Sequence, residues 1–183
     1  MRTALLIGLL FACGPASAGL FKLDPSESKI SFVYLENGEP KTGHFARLDG
    51  RAEFDPNQLA AADVRLTIQS AGVDLGDPIR SHFAQSIDWF DAERHPSFTV
   101  TLRRLERLGA GRYRAEAVVT IKGHEVGITP ELALEEAGGR LRATGELVLN
   151  RHDYRLGVGF SSLFTTVATD VLVKFDLSGV PAN

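Results

Sequence analysis

The chain has 183 residues, of which 44% are hydrophobic and 23% charged, with a formal net charge of −3. That composition belongs to an ordinary globular protein, long enough for one domain with a real core. A net-acidic chain whose basic residues are scattered, with only Arg103–Arg107 ("RRLER") clustered, lacks the basic stripe that nucleic-acid binding needs.

The first eighteen residues, "MRTALLIGLLFACGPASA", read as a secretory signal. One early Arg2 precedes an apolar run from Ala4 to Ala12; a Gly-Pro pair follows, then the small-x-small end Ala16-Ser17-Ala18. The run is too short to anchor permanently in a bilayer. Cleavage after Ala18 leaves one domain over residues 19–183 and places the mature protein in the periplasm. The single cysteine, Cys13, falls inside the signal, so the mature chain has no disulfide, thiolate or Cys-based metal site. "LFAC" at Leu10–Cys13 distantly resembles a lipobox, but the bulky Phe11 and the short stretch ahead of it favour simple cleavage over lipidation. No later apolar run reaches membrane-spanning length.

From there strand signals dominate. Ile30, Phe32 and Tyr34 mark an early strand. In "GHFARLDGRAEFD", Leu48, Gly50, Ala52 and Phe54 keep step while Phe45 is three residues from Leu48, which predicts a β-bulge whose extra residue turns both inward. "DVRLTI" alternates Val64, Leu66 and Ile68 with polar residues, and "SFTVTLRRL" alternates Phe98, Val100 and Leu102. "YRAEAVVTIK" sets Tyr113, Ala115, Ala117, Val119 and Ile121 on one face. "HEVGITPELALEE" is a further strand, with Pro130 implying a bulge or an edge. "RLRATGELVLN" and "VATDVLVKFDL" complete the series. Period-2 alternation of this kind indicates half-buried antiparallel strands, separated by the turns "ENGEP", "DPNQ", "GAG" and "AGG". About eight long strands on short connections predict an up-and-down barrel or a large sandwich. Small inward residues (Ala115, Ala117, Ala143, Gly145) predict space inside it.

One helix is expected. Asp77 is its N-cap and Pro78 its first residue, and Ile79, Phe83 and Ile87 with Ala84 form an apolar stripe. That stripe is expected to lie on the end or flank of the barrel. "SIDWFDAERHP", Ser86–Pro96, follows it. Asp88, Asp91, Glu93 and His95 could make an acid/base set; four polar residues between a helix and a strand more often form a solvated corner, and no G-x-S-x-G context accompanies them. His44, His82, His95, His124 and His152 lack the i,i+2 or i,i+4 spacing of a metal site. Arg151 in "NRHD" could meet an anionic head group or hold a turn through an internal salt bridge.

The run "LTIQSAGVDLGDPIRSHFAQSIDWFDAERHPSFTVTL", Leu66–Leu102, resembles the central signature of YceI-like proteins, which are secreted, polyisoprenoid-binding and built on a lipocalin-like barrel. Ala71, Val73, Asp74, Phe90, Asp91, His95, Pro96 and Phe98 occupy the matching places. "LDPSESKISF", the set Gly43, Phe45, Gly50, Phe54 and Asp55, "VVTIKGHEVGI" and "LNRHDYRLGVG" carry the resemblance across nearly the whole mature chain. It departs where the helix opens Asp77-Pro78-Ile79-Arg80 in place of an Arg-Asp pair, and where no Thr-x-Pro follows Gly123.

The resemblance implies an all-β fold: an eight-stranded antiparallel lipocalin-like barrel with one short amphipathic helix between strands 3 and 4. It also implies a long-chain apolar ligand (polyisoprenoid, isoprenoid quinone or fatty-acid derivative), no catalytic residues, no cofactor beyond a bound isoprenoid-type lipid, and a possible homodimer. With the inward faces, it selects Phe32, Tyr34, Phe45, Val100, Val119, Ile121 and Phe175 as pocket wall and Trp89 and Phe90 as rim. Two alternatives stay open. One is a periplasmic enzyme or redox-accessory protein acting on a lipid or quinone with a membrane cytochrome, using Asp91 or His95. The other is a protein-binding module whose barrel is filled by its own side chains.

Overall fold

The computed structural model describes residues 19–160 and 166–182. The expected signal, Met1–Ala18 with Cys13, lies outside the described residues.

Among the described residues the strands are β1 (Gly19–Leu23), β2 (Lys29–Glu36), β3 (Glu39–Phe45), β4 (Leu48–Phe54), β5 (Asp63–Gln69), β6 (Val73–Asp74), β7 (Ser97–Gly109), β8 (Arg112–Ile121), β9 (His124–Ile128), β10 (Glu131–Ala137), β11 (Arg140–Asn150) and β12 (Asp170–Pro181). All their pairings are antiparallel. The path β1-β4-β5-β7-β8-β10-β11-β12 returns to β1, so eight strands close a barrel. Tight turns join neighbours where the sequence supplies residues that accept positive φ: Asn37-Gly38 (φ 52 and 84) between β2 and β3, Lys122-Gly123 (φ 50 and 77) between β8 and β9.

Two stretches that read as single strands are interrupted, and an additional strand, β1, precedes the early strand that the sequence marks. β1 and β2 both pair with β12, at Gly179–Pro181 and Leu172–Asp176 respectively, and are separated by a turn in which Asp24 accepts from the Ser26 N–H. β3 and β4 are separated at Ala46–Arg47, where the Ala46 N–H turns aside to the Gly72 carbonyl. The bulge predicted between Phe45 and Leu48 is instead a break between two strands with different partners, and both side chains are buried. β9 and β10 part at Thr129–Pro130; proline has no N–H for the ladder, but its carbonyl still accepts from Ala115. β7 carries a further register shift between Leu102 and Arg104, which returns Leu105 to the interior.

Helix α1 (Pro78–Ala84) starts as its sequence dictates: the Asp77 carboxylate accepts from the Arg80 N–H at 2.9 Å and Pro78 takes the first turn. Two expectations about it are corrected. It follows β6, not the third strand, because the early runs divide and a two-residue strand pairs β3 before the helix begins. Its apolar stripe is not laid on the barrel either. Ile79, Phe83 and Ile87 are 81%, 46% and 58% exposed, and only Ala84 of the helix is buried. The larger aromatics just after it, Trp89 and Phe90, pack against the barrel core, while the stripe stays largely exposed.

The core has two parts. At one end Phe21, Phe54, Leu105, Tyr113, Ala115 and Leu141 form a floor, with Leu59 and Ala62 of the β4–β5 connection beneath it. At the other, near α1, Ile30, Phe45, Ile68, Val73, Phe98 and Tyr154 pack together.

Candidate functional site

Between those two clusters the barrel is hollow. A cavity of about 630 Å³ runs along its axis, within the roughly 300–1,000 Å³ typical of ligand pockets. Alternation builds its wall: Ala115, Ala117, Val119 and Ile121 of β8 are inward and buried, while Arg114 and Glu116 face out. Ala52 and Ala143 keep its waist wide. Gly145, expected to leave space, does not. The Phe175 ring lies flat over it, so that a Cβ there would come within 2.5 Å of Phe175 Cζ.

All nine residues selected from the sequence border this cavity: Phe32, Tyr34, Phe45, Trp89, Phe90, Val100, Val119, Ile121 and Phe175. Phe90 is not at the rim. It stacks on Phe98 (5.7 Å between centroids, 16° between planes) and meets Phe45 edge-on at 5.6 Å, while Phe45 contacts Phe32 at 5.3 Å. These rings form an aromatic band around the upper cavity, and offset or edge contacts of this kind add about 0.5–1.5 kcal/mol per pair beyond area burial. The floor residues Phe21, Phe54, Tyr113 and Leu141 were not selected, although Phe54, Tyr113 and Leu141 keep the inward phase of their strands. Phe21 sits in a five-residue strand too short to show a pattern.

Trp89 is held under the loop that follows β11. Its ring abuts Gly157, where a Cβ would come within 2.6 Å of Cη2, and the Arg151 guanidinium lies 5.6 Å from the ring centroid. Arg151 is buried, and its partners are carbonyls: Nε donates to Ala168 (3.0 Å), Nη1 to Leu156 (2.5 Å) and Gly157 (3.1 Å), and Nη2 to Val167 (2.7 Å). Among the described residues no carboxylate pairs with it, so the expected internal salt bridge is corrected to a cage of carbonyls. Desolvation alone lowers its pKa from the usual guanidinium range. The cage ties Leu156–Gly157 to Val167–Ala168 across the barrel's open end.

At the same end, Arg80 of α1 donates to the Glu36 carboxylate at 2.5 Å, and Glu36 bridges to Val167, one of the Arg151 partners. Tyr34 lies beside the pair; burial first, and then the Glu36 charge, raise its phenol above its ordinary value. Ile79, Arg80 and Phe83 border the cavity here, so the helix forms part of its mouth.

Backbone hydrogen bonds fold the corner that carries the expected acid/base set. Asp91 is buried, not solvated, with a left-handed backbone (φ 46) whose carbonyl accepts from the Arg94 and His95 N–H groups. The His95 carbonyl in turn accepts from the Ser70 hydroxyl at 2.6 Å, pinning this corner to the end of β5. Asp91 and His95 do not border the cavity. Lys122 closes the corner by donating to the Ile87 carbonyl at 2.8 Å. Burial lowers its pKa against the opposing charges of Asp91 and Asp88. Among the described residues no three His, Cys, Asp or Glu side chains group as metal ligands, and no helix is long and apolar enough to cross a membrane.

Known proteins of this shape exist. The chain is similar to BcnA of Burkholderia cenocepacia (29% identity over 85% of this chain and 98% of that one, TM-score 0.79). It also superposes on a polyisoprenoid-binding domain from Saccharophagus degradans (20% identity, 91% and 100% covered, TM-score 0.75). A third similar structure is the YceI protein of Campylobacter jejuni (18% identity, 77% and 84% covered, TM-score 0.66). The last two, at their low identity, show the fold alone. None of the curated proteins searched matches the chain. The model of the YceI-like domain matches residues 21–179, from the first barrel strand to the last. The chain belongs to the YceI-like domain family.

Proposed function

We propose that this protein binds a long-chain apolar lipid, of the polyisoprenoid, isoprenoid-quinone or fatty-acid type, and sequesters or carries it inside the barrel. The observation that carries this reading is the cavity: about 630 Å³, long, and walled almost entirely by aliphatic and aromatic side chains. In this reading the barrel works as lipocalin-like barrels do, by enclosure. Each methylene removed from water contributes about 0.8 kcal/mol, so a tail of ten contributes roughly 8 kcal/mol before the entropic cost of association. Few polar contacts are then needed. The polyisoprenoid binding ascribed to the Saccharophagus degradans domain supports the same ligand class.

The reading is non-catalytic, because the clustered acids and His95 point away from the cavity. A barrel filled by its own side chains, as a purely protein-binding module would have, does not agree with the hollow interior. A periplasmic location rests on the signal-like Met1–Ala18.

Organic extraction of protein purified from its native compartment, followed by mass spectrometry, tests the proposal. The expected result is a stoichiometric apolar lipid. Empty extracts from repeated preparations, together with no uptake of a fluorescent fatty acid by delipidated protein, would overturn it.

A further inference from the structure

The outward stripe of α1 is unusual for its position. Ile79, Phe83 and Ile87 recur at four-residue spacing yet are 81%, 46% and 58% exposed. Val158, 53% exposed, lies next to them: its neighbour Gly159 packs so closely on Asp88 that a Cβ there would overlap the carboxylate, and Asp88 follows Ile87. Two of these residues, Ile79 and Phe83, also border the cavity, whereas Ile87 and Val158 do not. Apolar surface is therefore continuous from the inside of the barrel, over its mouth, to the outside.

We infer that this rim docks on the surface of a lipid bilayer. The inference rests on the lipid-binding reading above and supplies its missing partner, the donor or acceptor of the cargo. An apolar chain leaving the cavity would otherwise cross water before reaching another apolar phase, and a rim seated in the interface removes that gap.

The extent of the patch favours a bilayer over a second copy of the chain. The four side chains expose on the order of 400 Å², about half of the roughly 800 Å² per partner that a stable protein interface covers. Shallow insertion of a few apolar side chains gives the weak, reversible membrane attachment that repeated exchange requires.

Charge sets the lipid class. Arg80 is paired with Glu36, and Lys122 donates to the Ile87 and Arg155 carbonyls. Asp74, Asp77, Asp88 and Asp91 sit in the same segment. The rim has no excess of cations, so the surface it suits is zwitterionic, and anionic lipid adds nothing.

Flotation of the full chain with phosphatidylcholine vesicles tests this. The expected result is co-flotation that does not rise when a third of the lipid is replaced by phosphatidylglycerol. Ile87→Ser/Val158→Ser lies outside the cavity and should lower the vesicle-bound fraction at least tenfold, while uptake of a fluorescent fatty acid from solution is unchanged. Val148→Ser, on an exposed residue of the outer wall, should float like the parent. Loss of fatty-acid uptake in the parent itself would sink the lipid-binding reading. Normal uptake without flotation, or flotation indifferent to the double substitution, would overturn membrane docking alone. So would sedimentation showing that the same residues hold two copies together.

Discussion

The two ends of this barrel are closed by different means. At the floor the strands form a continuous hydrogen-bonded ring, and Phe21, Phe54, Tyr113 and Leu141 fill it with side chains. At the mouth the ring is incomplete. Among the described residues β9 pairs only with β8, and the last residues of β11 pair only with β12. There, side chains supplement the ladder: the Arg151 cage and, joined to it through the Glu36–Val167 bridge, the Arg80–Glu36 pair. The difference teaches that one continuous sheet can be closed by its own ladder at one end and by side-chain contacts at the other, with no separate domain for the second task.

That contrast can be broken most directly at the floor. Phe54→Ala empties a site 5% exposed and removes the edge contact with Tyr113 at 6.2 Å; a loss of about 3–5 kcal/mol in urea unfolding is expected. At the mouth, Arg151→Met strips partners from four carbonyls and should cost about 2–3 kcal/mol. Hydrogen exchange should show the difference in kind: Leu156 and Gly157 amides lose protection well before any amide of β1 or β12 in the Arg151 variant. Uniform loss across the barrel would erase the distinction between the two ends.

Tyr154 sharpens it further through pH. Its side chain is 1% exposed, its hydroxyl has no partner among the described residues, and burial pushes its phenol up to about 12. The unfolded chain gives up this proton near pH 10 while the folded chain keeps it, so stability is full below pH 10 and declines as the pH rises toward 12. The loss is about 2–3 kcal/mol. Tyr154→Phe should abolish that decline in pH-dependent unfolding and cost almost nothing at pH 7. The smallest effect belongs to Arg80→Ala. It should leave the urea unfolding midpoint almost unchanged, since solvent screens the exposed pair, yet speed fatty-acid uptake measured by stopped flow.

Much of the floor and wall was legible beforehand. Alternation is a local property, so β8 announced Tyr113, Ala115, Ala117, Val119 and Ile121 as one inward face, and "GDP" announced the start of α1. What escaped prediction depends on contacts distant in sequence. The helix stripe stays largely exposed at the mouth while Trp89 and Phe90 pack on the core, a division of labour the helical period does not reveal. Gly145 leaves no space because Phe175, thirty positions later, covers it. Arg151 was legible as an unusual charge, but its carbonyl partners at Val167 and Ala168 come from the far side of a loop whose path no local pattern reveals.

The parting of β9 from β11 has a consequence for life in a crowded compartment. A fully closed barrel offers no strand margin, and so cannot recruit a neighbour's backbone into its sheet. Among the described residues this one has strand margins, His124–Ile128 and Glu146–Asn150 among them, each of these two five residues long. Their shortness, the break at Thr129–Pro130 and a proline without an N–H keep either from becoming a template for runaway sheet growth. Pro130 thus works as a guard against self-association along this unsealed stretch of wall.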